Sequence, residues 1–302
     1  MATVVLPEAT RALYPFQSRY FALSDGYQMH FVDEGPEDGE TLVFLHGYPV
    51  WSFVFRALIA YYAALGFRCV AVDYVGCGLS DKPTQRRYHS LRHHADNLIE
   101  FLTARALRQV TLIMEDWGGP LGLLYALQRT ETVRRLVIMN SWAFQDTYPN
   151  RLHPLISWAT RPGIGELLFS SLNLAFNLGV QRWTARRLPP TVMTAYKAPF
   201  RERRHRSALV QFPRMINTTS EHPSAPLMRE IEAGLPRFKP VPTLILWGAE
   251  NPLFTSDVAE HWKILLPRAQ GPVMIPCARH FLAEDAPDLL TRHLDAFLDG
   301  TT

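Results

Sequence analysis

The residues of this chain best placed to do chemistry gather around Glu115-Asp116-Trp117-Gly118-Gly119. A β-type run, Val110-Thr111-Leu112-Ile113-Met114, leads into them. Leu121, Leu124, Tyr125 and Leu127 follow, mostly on one helical stripe. Pro120 falls in the first helical turn, where a missing N–H costs nothing, and the small residues beside it allow backbone crowding. Asp116 is therefore expected at the tip of a tight strand-to-helix turn, as a candidate nucleophile. The plainer alternative is an aspartate that caps the helix. A candidate general base, His280, lies in Cys277-Ala278-Arg279-His280-Phe281-Leu282, after the last expected strand and before the last helix. There it projects over the strand ends from which Asp116 emerges. His46-Gly47-Tyr48-Pro49 directly follows another strand, so its turned backbone can aim the Tyr48 N–H at the nucleophile, with the Trp117 N–H as a second donor. The other ten histidines read as structural or exposed. His93 and His94, adjacent on a helix, face different ways and cannot share a ligand there.

Strands alternating with helices must position these groups. Arg19-Tyr20-Phe21-Ala22-Leu23 and Tyr27-Gln28-Met29-His30-Phe31-Val32 flank Asp25-Gly26, a strong hairpin signal. Thr41–Leu45 is apolar throughout, as in strands buried on both faces. A helix over Ser52–Leu65, a strand over Arg68–Val72, a turn over Asp73–Ser80 and a polar helix over Ser90–Ala104 precede the nucleophile strand. Further strands are expected at Arg135–Met139, Pro242–Trp247 and Pro272–Pro276. The alternation predicts an α/β fold with a mostly parallel sheet covered by helices on both faces. It stops between Asn140 and about Phe238, where helical patterns near Leu155–Ala159, Ile164–Leu174 and Thr191–Tyr196 occur without a convincing strand. The chain is therefore divided into a first core part (1–140), an inserted helical cap (141–238) and a second core part (239–302). Such a cap would sit over the sheet's C-terminal edge, where ligands bind in open α/β sheets. Arg201-Glu202-Arg203-Arg204-His205-Arg206 reads as a solvated cap face, with an anion-binding patch as the alternative.

Composition narrows the function classes. An apolar fraction of 47% with 20% charged residues is ordinary for a globular protein and excludes disorder. The net charge of +3 suggests neither nucleic acid nor an anionic membrane as partner. Cys69, Cys77 and Cys277 lack metal-ligand spacing and read as free thiols in a reducing compartment. The first residues carry no basic start followed by an apolar run, and no stretch reads as a membrane span. A cytoplasmic protein without metal or cofactor is expected.

Together, His46-Gly47-Tyr48-Pro49-Val50-Trp51-Ser52-Phe53, Asp73 to Pro83, Glu115-Asp116-Trp117-Gly118-Gly119 and Arg279-His280-Phe281-Leu282-Ala283-Glu284 resemble the haloalkane dehalogenases. These belong to the α/β-hydrolase superfamily and stand close to the epoxide hydrolases. The nucleophile–acid–base order of that fold fits, with Asp116 where Gly-x-Ser-x-Gly enzymes carry serine. The cap stretches Ala195-Tyr196-Lys197-Ala198-Pro199-Phe200 and Gln211-Phe212-Pro213-Arg214-Met215-Ile216 are similar to a dehalogenase cap signature. The resemblance implies that Asp116 displaces halide from an sp³ carbon to form an alkyl ester. A water activated by His280 then cleaves the ester to an alcohol, without a cofactor. Carboxylate suits this work because its ester can be hydrolysed, whereas serine would leave an inert ether. The Trp117 indole N–H would point at the halide, and the substrate would be small and apolar.

Two positions depart from the family. Tyr48 stands where dehalogenases commonly carry Asn or Glu, and its hydroxyl is a candidate second halide donor. Trp142, Trp158 and Trp183 are the alternatives, with core packing as the plainer role of each. The triad acid is expected after Leu244–Trp247, where Gly248-Ala249-Glu250-Asn251-Pro252-Leu253-Phe254 puts Asn251 in its place, or Glu250 if the turn is displaced by one residue. The other acid position, after Leu136–Met139, holds Asn140. Asparagine can orient an imidazole but adds no charge to stabilise its cation, so slow turnover is expected. The alternatives are an epoxide hydrolase using paired tyrosines such as Tyr148 and Tyr196, a β-lactone decarboxylase of the same fold, or a non-catalytic relative.

Overall fold

A computed structural model describes residues 6–144 and 154–301. Eight strands form one sheet in the order β1-β2-β4-β3-β5-β6-β7-β8. They are β1 (Arg19–Ala22), β2 (Gln28–Glu34), β3 (Thr41–Leu45), β4 (Arg68–Val72), β5 (Val110–Glu115), β6 (Val133–Met139), β7 (Thr243–Gly248) and β8 (Gln270–Ile275). The hairpin β1–β2 joins β4 antiparallel, and every other pairing is parallel. Strands β3, β4, β5 and β7 are buried along their whole length, as continuous apolar runs between two helical layers require. This is the α/β-hydrolase fold.

The helix Gly118–Gln128 after β5 differs from its expected single stripe, since every residue from Gly118 to Leu127 is buried. It lies between the sheet and the helices Leu91–Ala104 and Ala225–Gly234. Asp116, just before its start, therefore precedes a helix packed from all sides. Ser90 caps Leu91–Ala104, its hydroxyl accepting the His93 N–H at 3.2 Å. Between β6 and β7 the described residues form helices and turns only, including Pro154–Thr160, Pro190–Lys197 and Ser207–Arg214. The stretch expected as one helix over Ile164–Leu174 is instead wound as π-helical turns, Glu166–Ser171 and Ala175–Gly179.

One buried carboxylate ties the loops at the sheet's C-terminal edge. Asp73, at the end of β4, accepts the Ser52 N–H (2.8 Å), the Leu79 N–H (2.7 Å) and a hydrogen bond from His30 Nδ1 (2.8 Å). Burial would raise the Asp73 pKa, but the charge and hydrogen bond of His30 and the Leu79 amide outweigh it and hold it well below the usual range. Gly78 is required for this approach, because a Cβ there would stand 2.0 Å from Asp73 Oδ2. Removing one partner of a buried charge pair costs about 3–5 kcal/mol. Asp73→Ala should therefore lower the thermal midpoint by several degrees at neutral pH. The loss should shrink as pH falls through the depressed pKa, where the wild-type carboxylate also takes up a proton. Unchanged melting at pH 7 would mean that the three donors are satisfied by water instead.

Candidate active site

Asp116 follows β5 with φ of 50°, the left-handed region that few side chains other than Asn and Asp enter. The turn lifts its carboxyl group off the sheet towards the loop after β3. There Oδ1 accepts two backbone N–H bonds, from Tyr48 at 3.0 Å and from Trp117 at 2.7 Å. The loop can come this near because residue 47 is glycine, where a Cβ would lie 2.4 Å from Asp116 Cβ. Ser141, just beyond β6, donates its hydroxyl to the Asp116 carbonyl at 2.6 Å and so braces the turn from below. Nothing in the sequence marks Ser141 beyond its position after a strand.

His280 is fully buried, with Nε2 3.3 Å from Asp116 Oδ2. That contact is close but not aligned as a hydrogen bond, and Nδ1 has no partner. Backbone bonds hold the residue from both sides. Its N–H donates to the Trp183 carbonyl at 2.9 Å, and its own carbonyl accepts Asn140 Nδ2 at 2.7 Å. Asn140 also donates to the Arg279 carbonyl and accepts the Gly248 N–H. The residue after β6 thus acts as a pin for the histidine loop, in a left-handed conformation (φ 42°) that asparagine tolerates.

Three expected contacts are not formed. Asn251 Oδ1 accepts the Leu253 and Phe254 N–H groups, so its carbonyl closes a local turn instead of orienting His280. Its Nδ2 is buried without a partner. Glu250 is half exposed, with its carboxylate 3.8 Å from the Arg279 guanidinium; it stays in solvent beside a cation and does not reach the buried imidazole. The Tyr48 hydroxyl does not face the nucleophile either. It donates to the Leu209 carbonyl of the cap at 2.7 Å, while the ring stacks 6.4 Å from Phe212. A buried phenol takes a strong acceptor where one is offered, so Tyr48 locks cap to core by its side chain and serves Asp116 by its backbone.

Asp116, Tyr48, Trp117 and Trp142 line a narrow cavity of about 20 Å³, closed from the cap side by Ile156, Pro213 and Ile216. That space suits a water molecule or a group of halide size. Trp142 packs edge-on against Trp117 with centroids 4.9 Å apart. Trp183 is buried near His280, and Trp158 is largely exposed. The Tyr196 hydroxyl donates to Glu284, which also receives Arg56. Tyr148 lies outside the described residues.

Glu115 is the residue whose importance the sequence concealed. It stands inside the elbow motif, yet its side chain is fully buried and neither oxygen has an aligned hydrogen-bond donor. Burial raises its pKa well above the ordinary 4.5, and the adjacent Asp116 charge raises it further, while the nearby Leu282 amide opposes this only weakly. Burial and the Asp116 charge thus both favour the protonated form of Glu115.

Comparison with known proteins agrees with this geometry. The alpha/beta hydrolase fold family profile matches residues 40–287. The chain is 34% identical to the cis-3-alkyl-4-alkyloxetan-2-one decarboxylase of Shewanella oneidensis, over 96% of this chain and 90% of that protein. It is 33% identical to haloalkane dehalogenase 2 of Mycobacterium tuberculosis, over 91% of this chain and 93% of that one. Among solved structures, the haloalkane dehalogenase DbeA from Bradyrhizobium elkani shares the fold with a TM-score of 0.85 at 24% identity, covering 95% of this chain and 98% of that chain. The chain thus belongs to the α/β hydrolases, as a relative of the haloalkane dehalogenases and the oxetan-2-one decarboxylases alike.

Proposed function

We propose that Asp116 is a nucleophile that forms a covalent ester with a carbon atom of a small apolar electrophile, with a halogenated alkane as the substrate class. The observation that carries this reading is the division of labour between its two oxygens. Oδ1 is engaged by two backbone amides, which leaves Oδ2 free beside the cavity and within 3.3 Å of His280. Oδ2 attacks in line, and the carbon–halogen electron pair departs with the halide towards Trp117. In the ester, Oδ1 becomes the carbonyl oxygen, still held by the amides that will stabilise its negative charge when water adds. His280 takes a proton from that water. The tetrahedral intermediate then expels the alcohol, which receives that proton, and the second proton of the water is lost to solvent as the carboxylate is restored.

A neutral Glu115 supports the same reading, because a second charge beside Asp116 would repel the tetrahedral oxyanion. The unsupported Nδ1 of His280 favours a second substrate class. A base without an acid partner is poor at activating water, and with Tyr48 bonded to Leu209 the halide loses one expected donor. An oxetan-2-one that leaves as an alkene and carbon dioxide needs no water, and relatives named for that reaction match nearly the whole chain. Epoxide opening has less support, since the Tyr196 hydroxyl is already bonded to Glu284.

Incubation with 1,2-dibromoethane should release bromide and add mass to the protein, and Asp116→Ala should do neither. In His280→Gln the adduct should form and persist, with turnover lower by about 10²–10⁴ as for loss of a general base. Conversion of a cis-3,4-dialkyl-oxetan-2-one to alkene, with no bromide released from any haloalkane, would move the assignment to decarboxylation.

Replacing aspartate by its amide in a Ser-His-Asp triad costs about 10⁴ in kcat. The reverse exchange, Asn251→Asp, puts an acceptor where the unpartnered Nδ2 now stands. It should speed decay of the ester adduct about tenfold or more, and an unchanged rate would remove Asn251 from the triad position.

Glu115→Gln copies the neutral acid. The raised pKa means that folding favours the protonated form, so the wild type loses stability as pH rises from 4.5 towards the folded pKa. The variant should therefore melt higher than wild type at pH 7, with the difference vanishing near pH 4. A variant that melts lower at pH 7 would show that Glu115 is charged when folded.

A further inference from the structure

The near-neutral charge of the whole chain conceals a divided surface. Residues 154–214, which form most of the described cap, contain ten Lys or Arg and two Glu, against a net charge of +3 for all 302 residues. The rest of the protein is accordingly net acidic. Arg161, Arg182, Arg187, Arg201 and Arg203 are exposed, and none has a carboxylate within ion-pair distance among the described residues. The same region carries an unusual apolar surface. Of the ten large hydrophobic residues exposed among the described residues, Trp158, Ile164, Leu167, Leu172 and Leu178 fall in one stretch. Arg161, three residues before Ile164, and Arg201 and Arg203 are the arginines that adjoin this apolar set. The turn Glu166–Ser171 packs against the turn Arg203–Arg206, and the Arg206 guanidinium donates to the Ser170 and Ser171 carbonyls. Phe176, within Ala175–Gly179, packs against Phe200, with centroids 5.0 Å apart.

We infer that this outer face of the cap docks on an anionic lipid bilayer. Exposed leucine, isoleucine and tryptophan interleaved with unpaired arginine is the chemistry of interfacial binding. The apolar groups enter the headgroup–acyl boundary and the guanidinium groups meet lipid phosphates. Glu166 and Glu202, the acids of this segment, are already paired with Arg86, Arg214 and Arg204, so the face offers a second copy of the chain no free acidic counterpart. The acidic remainder of the molecule orients it, with cap to the bilayer and sheet away. The helices that carry Ile156 and Pro213 pack on each other and on the turn Glu166–Ser171, so docking there brings the cavity walls near a phase in which apolar molecules concentrate. The inference concerns the outer face alone and stands or falls independently of the reaction at Asp116.

The test is sedimentation of the full chain with vesicles of phosphatidylcholine alone and of an equal mixture of phosphatidylcholine and phosphatidylglycerol. Binding is expected to the mixture at low salt, to fall steeply as salt rises, and to be weak on phosphatidylcholine. The triple variant R161E, R201E and R203E should bind about tenfold or more weakly, each arginine near such a surface contributing a several-fold factor. Leu167→Ser with Leu172→Ser should bind more weakly while keeping its melting temperature. Brominated lipid should quench fluorescence in the wild type and not in Trp158→Phe, a readout that requires no charge reversal. Equal sedimentation with both vesicle types, binding unaffected by the triple variant, or a stable dimer that protects Trp158 from a soluble quencher would each overturn the assignment.

Discussion

The left-handed backbone of Asp116 is the constraint on which the remaining structure depends. A non-glycine residue in that region carries a cost of roughly 1–2 kcal/mol, and it persists only where its surroundings over-determine it. Here they do so from every side. The amides of Tyr48 and Trp117 grip one carboxyl oxygen, Ser141 holds the carbonyl, and the following helix is buried all round. The loop after β3 is itself fixed by Asp73 through Ser52. The bond that points the Tyr48 amide at the nucleophile thus rests on a carboxylate at the end of a different strand.

Three acidic side chains at this edge of the sheet sit in different electrostatic surroundings because the protein offers them different partners. Asp73 receives two amides and an imidazole, which overcome the penalty of burial and keep it ionised. Glu115 receives no aligned donor, and burial beside Asp116 keeps it neutral. Asp116 receives two amides on one oxygen and a cavity at the other. Environment alone sorts chemically similar groups into a structural anion, a silent acid and a group free to react. The imidazole at His280 falls outside this pattern. The backbone positions it firmly, yet its Nδ1 faces no acid.

What could be read from the sequence was what local pattern controls. Continuous apolar runs mark the buried strands, Asp25-Gly26 marks the hairpin, and glycine and proline after Asp116 mark the sharp turn, all within a few residues of each other. The positions of Asp116, His280 and the Tyr48 amide follow from where their strands end. Side-chain direction does not follow in this way. The Tyr48 hydroxyl is decided by Leu209, 161 residues further on. Asn251 was judged by its place in a motif, but its oxygen is taken by its own turn, a local competitor of the kind that asparagine favours. Glu115 carried no signal because an acid before the nucleophile looks like any polar residue until its burial is seen. The charge of the cap was visible as a run at Arg201–Arg206 but was averaged away in the total.

Cavity size and cap attachment together determine how a substrate can enter. A space of about 20 Å³ admits water or a halide-sized group but no carbon chain. Anything larger reaches Asp116 only if Ile156, Pro213 or Ile216 moves, and all three lie between β6 and β7. The segment between β6 and β7 is tied to the core by hydrogen bonds from Tyr48 to Leu209, from Tyr196 and Arg186 to Glu284, from Ala185 to Asp285, from Arg279 to Arg182 and Thr184 and from His280 to Trp183, together with the stacking of Tyr48 and Phe212. The nucleophile itself is tied to the sheet and to the buried helix, which do not need to move. Carboxylate geometry is thus kept by contacts within the sheet and the buried helix, and the cavity walls are held by a separate set between the core and the β6–β7 segment. The Tyr48 side chain joins the two regimes, because its backbone amide serves the fixed part and its hydroxyl serves the movable one.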